Sequence, residues 1–297
     1  MIHQNTIFNT IRASGVGIHT GRTIKMAFKP APADTGIVFR RVDVSPVVDI
    51  PAKAEFVDNT LLSTKIAKDG VSVGTTEHLM SAFSGLGIDN CIVELDGPEV
   101  PIMDGSAWSY VFLIQSAGIR RQDQQRSFIR ILKPIRVQEC DKEAELLPYE
   151  GSRFEFQIDF DHPVINNYAS RASVELNPTT FVREVARART FGFRQDLEKM
   201  RSMNLALGGS MSNAILVDDD GIANEGGLRS SDEFVKHKLL DAIGDLYMAG
   251  HIIGEYRGFR SGHALNHKLV MAMLEQKDSW ELVGAQSNEP ERMLAMA

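Results

Sequence analysis

The chain has 297 residues, of which 43% are hydrophobic and 24% charged, and its 32 Lys and Arg against 39 Asp and Glu leave a net charge of −7. This length predicts one large or two medium folded domains, and the balance excludes a mainly disordered chain. A mildly acidic protein is also a poor general binder of nucleic acid, although a local basic pocket for a phosphate stays open.

The first residues lack a basic start followed by an apolar run, so no secretory signal is expected. No window approaches ~18 uncharged apolar residues, so no membrane span is expected, and the default location is cytoplasmic. In chain order, residues 23–28 alternate, with Ile24, Met26 and Phe28 on one side, as a half-buried strand requires. Residues 36–41, 47–54 and the short Val71–Val73 follow as strands. From Glu77 the spacing turns helical through Leu79, Ala82, Phe83 and Leu86. Thr75 or Thr76 is the expected N-cap, and Gly85 or Gly87 the stop. Cys91–Leu95 reads as a strand, residues 96–98 as a turn and 104–117 as a second helix closed by Gly118. The polar stretch 120–127 (RRQDQQRS) reads as a linker.

Beyond it the pattern restarts. Strands are expected over 128–140, 144–148, 153–160 and 169–176. A helix over 178–188 opens with Asn177 and a proline at its first position. A helix over 196–207, a break at Gly208-Gly209 and a strand over 214–217 come next. The strongest helix runs over 232–250; residues 250–254 read as a connection after it, and 267–274 as a last helix. Strands followed by helices, twice over, predict an α+β protein of two similar halves. Two cysteines, Cys91 and Cys140, are too few for a disulfide framework and are read as reduced thiols in or near the core. The tail, residues 292–297, is apolar.

Three short pieces carry chemistry. In the helix over 232–250, Val235, Leu239, Ala242, Leu246 and Ala249 form one apolar stripe. His237 and Asp241 lie four apart on another face, which Asp245 continues. Such a pair can share a metal ion, or simply be a His⁺–Asp⁻ contact on a helix surface. The second piece is Glu77-His78 at a helix start, readable as a ligand beside a general base or as capping chemistry. The third is Ser261-Gly262-His263, a loop histidine placed to face a cleft or solvent. Together they offer two histidines and one carboxylate, with a second carboxylate and a further histidine for proton transfer. A structural or ligand-binding protein whose metal is purely structural stays open at this point.

Six blocks then resemble one family in the right order: residues 14–21 (SGVGIHTG), 76–78 (TEH), 101–106 (PIMDGS), 188–192 (ARTFG), 237–245 (HKLLDAIGD) and 261–263 (SGH). They resemble the zinc-dependent UDP-3-O-acyl-N-acetylglucosamine deacetylases of lipid A synthesis in Gram-negative bacteria, and the resemblance runs essentially end to end. It implies an α+β fold of two similar domains, each a β-sheet layered against helices and each carrying an insert. The domains are expected at residues 1–126 and 127–297, with an acyl-chain passage in the insert at about 192–221. It implies one Zn²⁺ per chain, with Fe²⁺ also suited, held by His78, His237 and Asp241. Glu77 is implied as general base, His263 as general acid, Asp245 as the group orienting it, Thr190 as oxyanion donor and Lys238 as a lysine beside the metal. For the substrate, a UDP-sugar lipid, the implied contacts are Lys142 (diphosphate side), Asp159 and Phe160 (uridine), Phe191 and His19. Leu205, Leu207, Ile215 and Val217 are the candidates to touch the acyl chain, with packing in the core as the alternative for each. A monomer is expected, with no nucleic-acid partner.

Overall fold

The computed structural model describes residues 2–284. The apolar tail over 292–297, and with it the end of the expected second domain, lies outside the described residues. In the first half the strands are β1 (His3–Ile7), β2 (Ile11–Val16), β3 (Thr23–Pro30), β4 (Ile37–Arg41), β5 (Val48–Pro51), β6 (Val57–Asn59), β7 (Lys65–Lys68) and β8 (Val71–Val73). Helix α1 (Glu77–Leu86), β9 (Cys91–Leu95), α2 (Trp108–Ala117) and β10 (Ile119–Gln125) complete it. The second half holds β11 (Phe128–Ile131), β12 (Ile135–Glu139), β13 (Lys142–Leu147), β14 (Ser152–Gln157) and β15 (Arg171–Glu175). A short helix α3 (Pro178–Thr180) runs into a π-turn (Phe181–Val185), followed by β16 (Phe191–Phe193), α4 (Leu197–Ser202) and β17 (Ile215–Val217). Helix α5 (Glu233–Leu246), β18 (His251–Phe259), α6 (His263–Glu275) and β19 (Trp280–Val283) close the described chain.

The two halves repeat one topology. In the first, the order β2-β3-β9-β4-β5 pairs antiparallel, antiparallel, parallel, antiparallel. In the second, β12-β13-β18-β14-β15 repeats that sequence of pairings. Each central strand, β9 or β18, is preceded by one long helix and followed by another, so α1 corresponds to α5 and α2 to α6. Alternation builds the first sheet: Ile24, Met26 and Phe28 of β3 and Cys91, Val93 and Leu95 of β9 are buried, while Lys25 between them is exposed. Phe28 meets Phe83 of α1 edge-on with ring centroids 5.6 Å apart. In the other half α5 packs on β14 and β15, and α6 on β12 and β13. Helices α1 and α5 pack on each other, so the molecule is a stack of sheet, helices, helices, sheet. Among the described residues no helix is long and apolar enough to cross a membrane.

Several expectations are corrected. The stretch read as a linker is mostly the strand β10, paired antiparallel with β1. It is exposed on both faces, so it carries no alternating apolar signal. The strand expected over 128–140 is two strands broken before Pro134. The connection expected after α5 is β18, the central strand of the second sheet. Cys91 is buried as expected, whereas Cys140 is exposed in a turn with φ of 54°.

Candidate metal centre

The close approach of α1 and α5 creates the centre. A Cβ on Gly244 would lie 2.0 Å from the carbonyl oxygen of Glu77 and 3.0 Å from the backbone nitrogen of Ser81. Only a glycine in α5 lets α1 come so near, which outweighs the helix propensity of about 1 kcal/mol lost relative to alanine. The polar residues at this crossing are all buried: Glu77, His78 and Ser81 on α1, His237, Asp241 and Asp245 on α5. That removes the reading of the second α5 face as a solvated helix surface. Thr76 is the N-cap residue of α1, but its hydroxyl caps nothing. It donates instead to the Thr64 carbonyl at 3.0 Å.

His78, His237 and Asp241 each offer a ligand atom, and these atoms lie within 4.8 Å of one another. The Nε2 atoms of both histidines are 3.4 Å from Asp241 Oδ1. A tetrahedral site with bonds of about 2.0–2.1 Å has ligand–ligand edges of about 3.3–3.4 Å, so the donor set fits zinc. Asp241 Oδ1 and His78 Nδ1 are buried without a hydrogen-bond partner, and a buried carboxylate oxygen left in that state wants a cation. His237 donates from Nδ1 to the Ala188 carbonyl at 3.1 Å, which turns the Nε2 lone pair toward Asp241. Burial drives the His237 imidazole down to about 3, with His78 and Lys238 adding to the fall against Asp241, so it is neutral and available as a ligand. Burial works to raise Asp241, but His237 and Lys238 outweigh it and hold the carboxyl well below its usual range. The Lys238 ammonium donates to Asp241 Oδ2 at 2.5 Å. Burial would lower its pKa, and the Asp241 charge and hydrogen bond reverse that to a rise.

Two titratable groups flank the trio. Burial raises the Glu77 carboxyl, with His263 and His78 opposing. Glu77 is held by the Thr64 N–H, which donates to Oε2 at 2.9 Å. His263 is no loop residue: it opens α6 behind Gly262. Its Nδ1 donates to Asp245 Oδ2 at 2.9 Å, and its Nε2 is 4.0 Å from Asp241 Oδ2. Burial would lower its pKa, but the Asp245 charge and hydrogen bond, with Glu77 and Asp241, push it up to about 9. Asp245 is fixed in turn by the Thr64 hydroxyl at 2.5 Å and the Asn266 amide at 2.8 Å.

The other expected residues ring this core unevenly. Thr190 is half-buried, paired through its backbone with Gly105 and Ile215. Phe191 stands with its ring centroid 6.1 Å from that of His237. It also meets Phe160 at 5.6 Å, which joins Phe193 and His162 in one aromatic wall. His19 sits in a turn whose backbone N–H groups at 19 and 20 donate to the buried Glu99 carboxylate. Burial lowers its imidazole against the pull of Glu99, and its carbonyl accepts from Leu207 in the insert. Asp159 and Lys142 are exposed, and Arg260 faces Asp159 at 3.7 Å and Asp141 at 2.5 Å.

Of the candidates for the acyl passage, Ile215 is fully buried in the core. The β17 alternation turns Ile215 and Val217 inward and leaves Leu216 half-exposed on the other face. Leu216 is in register with Gly192, and the Met200 side chain lies 3.9 Å from where a Gly192 Cβ would be. Leu205 is half-buried and donates from its backbone to the Met200 carbonyl. Sequence reasoning also passed over Thr64, Asn266, Glu99 and the spacing role of Gly244. Only the last left a signal, a glycine in mid-helix.

Over residues 4–275 the chain matches the UDP-3-O-acyl N-acetylglycosamine deacetylase family. It is 60% identical to the UDP-3-O-acyl-N-acetylglucosamine deacetylase of Chromohalobacter salexigens over 284 residues, covering 95% of this chain and 94% of that one. The proteins of the same name from Marinobacter nauticus and Hahella chejuensis are 59% and 58% identical, each covering 95% of this chain and 93% and 94% of theirs.

Proposed function

Since the chain belongs to the UDP-3-O-acyl N-acetylglycosamine deacetylase family, we propose that the α1–α5 seam is its active site. The enzyme removes the N-acetyl group of UDP-3-O-acyl-N-acetylglucosamine and releases acetate, in lipid A biosynthesis. The observation that carries the site assignment is the convergence of His78, His237 and Asp241 within 4.8 Å, with Glu77 next to His78 and His263 facing them. When bound there, a divalent cation supplies Lewis acidity, polarising the amide carbonyl and making water acidic enough to lose a proton near neutral pH. Zinc is our assignment for that cation; Fe²⁺ suits the same nitrogen and oxygen ligands.

The chain's own groups supply the rest. Glu77 accepts a proton from the attacking water, its affinity for that proton enhanced by burial. To Thr190 and Lys238 we assign the stabilisation of negative charge developing on the carbonyl oxygen, an effect worth about 3–4 kcal/mol per donor in comparable sites. His263, aimed by Asp245 whose charge and hydrogen bond favour its cationic form, donates its proton to the glucosamine nitrogen as the C–N bond breaks. An amide is a poor electrophile with a poor leaving group, so both ends need this help.

For the substrate we assign the aromatic wall of Phe160 and Phe191, with Asp159, to the uridine side and Lys142 to the diphosphate. His19 lies between the metal centre and the insert. The acyl chain is assigned to the face of Leu216, Met200 and Leu205, where each buried methylene contributes about 0.8 kcal/mol. We draw the boundary between the halves at residue 126, between β10 and β11.

The deciding experiment measures acetate release and metal content together. Chelation should abolish turnover, and added Zn²⁺ should restore it. His78→Ala and Asp241→Ala should lose metal and activity, whereas Glu77→Ala should keep metal while its rate falls about 10²–10⁴-fold. Glu77→Ala turning over at the wild-type rate would remove the general base from this account.

A further inference from the structure

We propose that Thr64 is a positioning residue that sets the general acid and the general base in register across the seam, an inference that rests on the roles assigned above to Glu77 and His263. Thr64 is 2% exposed and belongs to the loop between β6 and β7 in the first half. Its N–H donates to Glu77 Oε2 at 2.9 Å, and its hydroxyl donates to Asp245 Oδ1 at 2.5 Å. Its carbonyl accepts from the Thr76 N–H at 3.2 Å and the Thr76 hydroxyl at 3.0 Å. Every polar group of the residue is therefore committed, and all its partners lie at the catalytic crossing.

The geometry explains why a hydroxyl is wanted there. The buried Asp245 carboxylate divides its acceptors: Oδ2 takes His263 Nδ1 at 2.9 Å and Asn266 Nδ2 at 2.8 Å, while Oδ1 takes Thr64. Removing the donor from Oδ1 leaves a buried anionic oxygen unsatisfied. The carboxylate then gains by rotating toward another donor, which carries Oδ2 away from His263. Thr64 also places one donor on each of two neighbouring carboxylates, Glu77 and Asp245, which come from different halves. A single residue of the first half thus fixes the acid's support in the second half and the base in its own.

The test uses the full-length, metal-loaded enzyme. Turnover by the wild type, and its loss in Glu77→Ala and His263→Ala, first establish the reading on which this inference depends. Thr64→Val keeps the shape and the backbone N–H but deletes the hydroxyl. It should retain wild-type metal content and a KM within about twofold, with kcat falling about 10–100-fold, the range typical of outer-shell partners. Thr64→Ser should recover most of that loss. In a His263→Ala background, Thr64→Val should have little further effect, because it acts through that histidine. Wild-type kcat in Thr64→Val, or an equal fall with and without His263, would overturn the proposal. Should Thr64→Val fail to fold, Thr64→Ala, which also lacks the hydroxyl, takes its place: wild-type kcat refutes the role, and a fall that Thr64→Ser recovers supports it.

Discussion

Replacing Gly244 by alanine tests whether the α1–α5 seam sets the metal centre. The new Cβ would sit 2.0 Å from the Glu77 carbonyl oxygen, where ordinary contact starts at 3.4 Å, so the shortfall is about 1.4 Å. The opposing atoms are helix backbone, and no rotamer change relieves the clash; α1 has to retreat. His78 follows Glu77 on the same turn, so its 3.4 Å separation from Asp241 opens by a similar amount. Metal sites tolerate about 0.2 Å of such change, and a displacement of about 1 Å at a catalytic group can cost 10²-fold in rate. Overpacking costs about 1–3 kcal/mol, partly offset by the gain of about 1 kcal/mol from alanine in a helix. Gly244→Ala should therefore fold with a Tm only a few degrees lower, bind metal at least about tenfold more weakly against a competing chelator, and lose about 100-fold in kcat/KM. A variant with wild-type metal affinity and kcat/KM within about threefold of the parent would refute the reasoning.

Three further outcomes follow from the same geometry. In metal-free protein the His263 imidazole should titrate near 9 by NMR. Asp245→Asn should lower that titration, because it removes the charge and hydrogen bond that most oppose burial and leaves only Glu77 and Asp241 to hold it up; an unmoved titration would dissociate the pair. In the loaded enzyme His263 must be protonated to act as acid, so activity should fall as pH rises through its folded-state pKa, and that limb should vanish in His263→Gln. It should also fall on the acid side as Glu77 becomes protonated, at a pH above the ordinary carboxylate range. On β17, Leu216→Glu should raise KM for long-acyl substrate, whereas Ile215→Val should leave KM alone and cost about 0.5–1.5 kcal/mol in chemical denaturation. The reverse pattern would restore Ile215 to the passage.

What could be read from the sequence depended on whether a residue's role left a periodic trace. Helices α1 and α5 were legible because their apolar positions recur at helical spacing, and a spacing of four put His237 and Asp241 on one face, while their role as ligands came only from the family resemblance. Strand β18 was not, because it is central and covered on both faces. Its residues Ile252 to Tyr256 are all buried, and Gly254 and Gly258 stand where neighbouring side chains leave no room for a Cβ. Strand β10 was hidden for the opposite reason, being wet on both faces. His263 was read as a loop residue because Gly262 before it suggests a turn, whereas here glycine is the N-cap of a helix. Thr64 could not be found at all: its partners lie 13 and 181 residues away, and nothing in a loop threonine announces either.

The repeated strand order has a consequence for ownership of the chemistry. The helices that meet at the seam are counterparts, one from each repeat, yet they are furnished unequally: one brings a histidine and a glutamate, the other a histidine and two aspartates. On the roles proposed above, neither repeat holds a complete reaction centre by itself. Cut at residue 126 and expressed as separate pieces, each would be inert even if folded, and turnover would reappear only on mixing, with a second-order dependence on concentration.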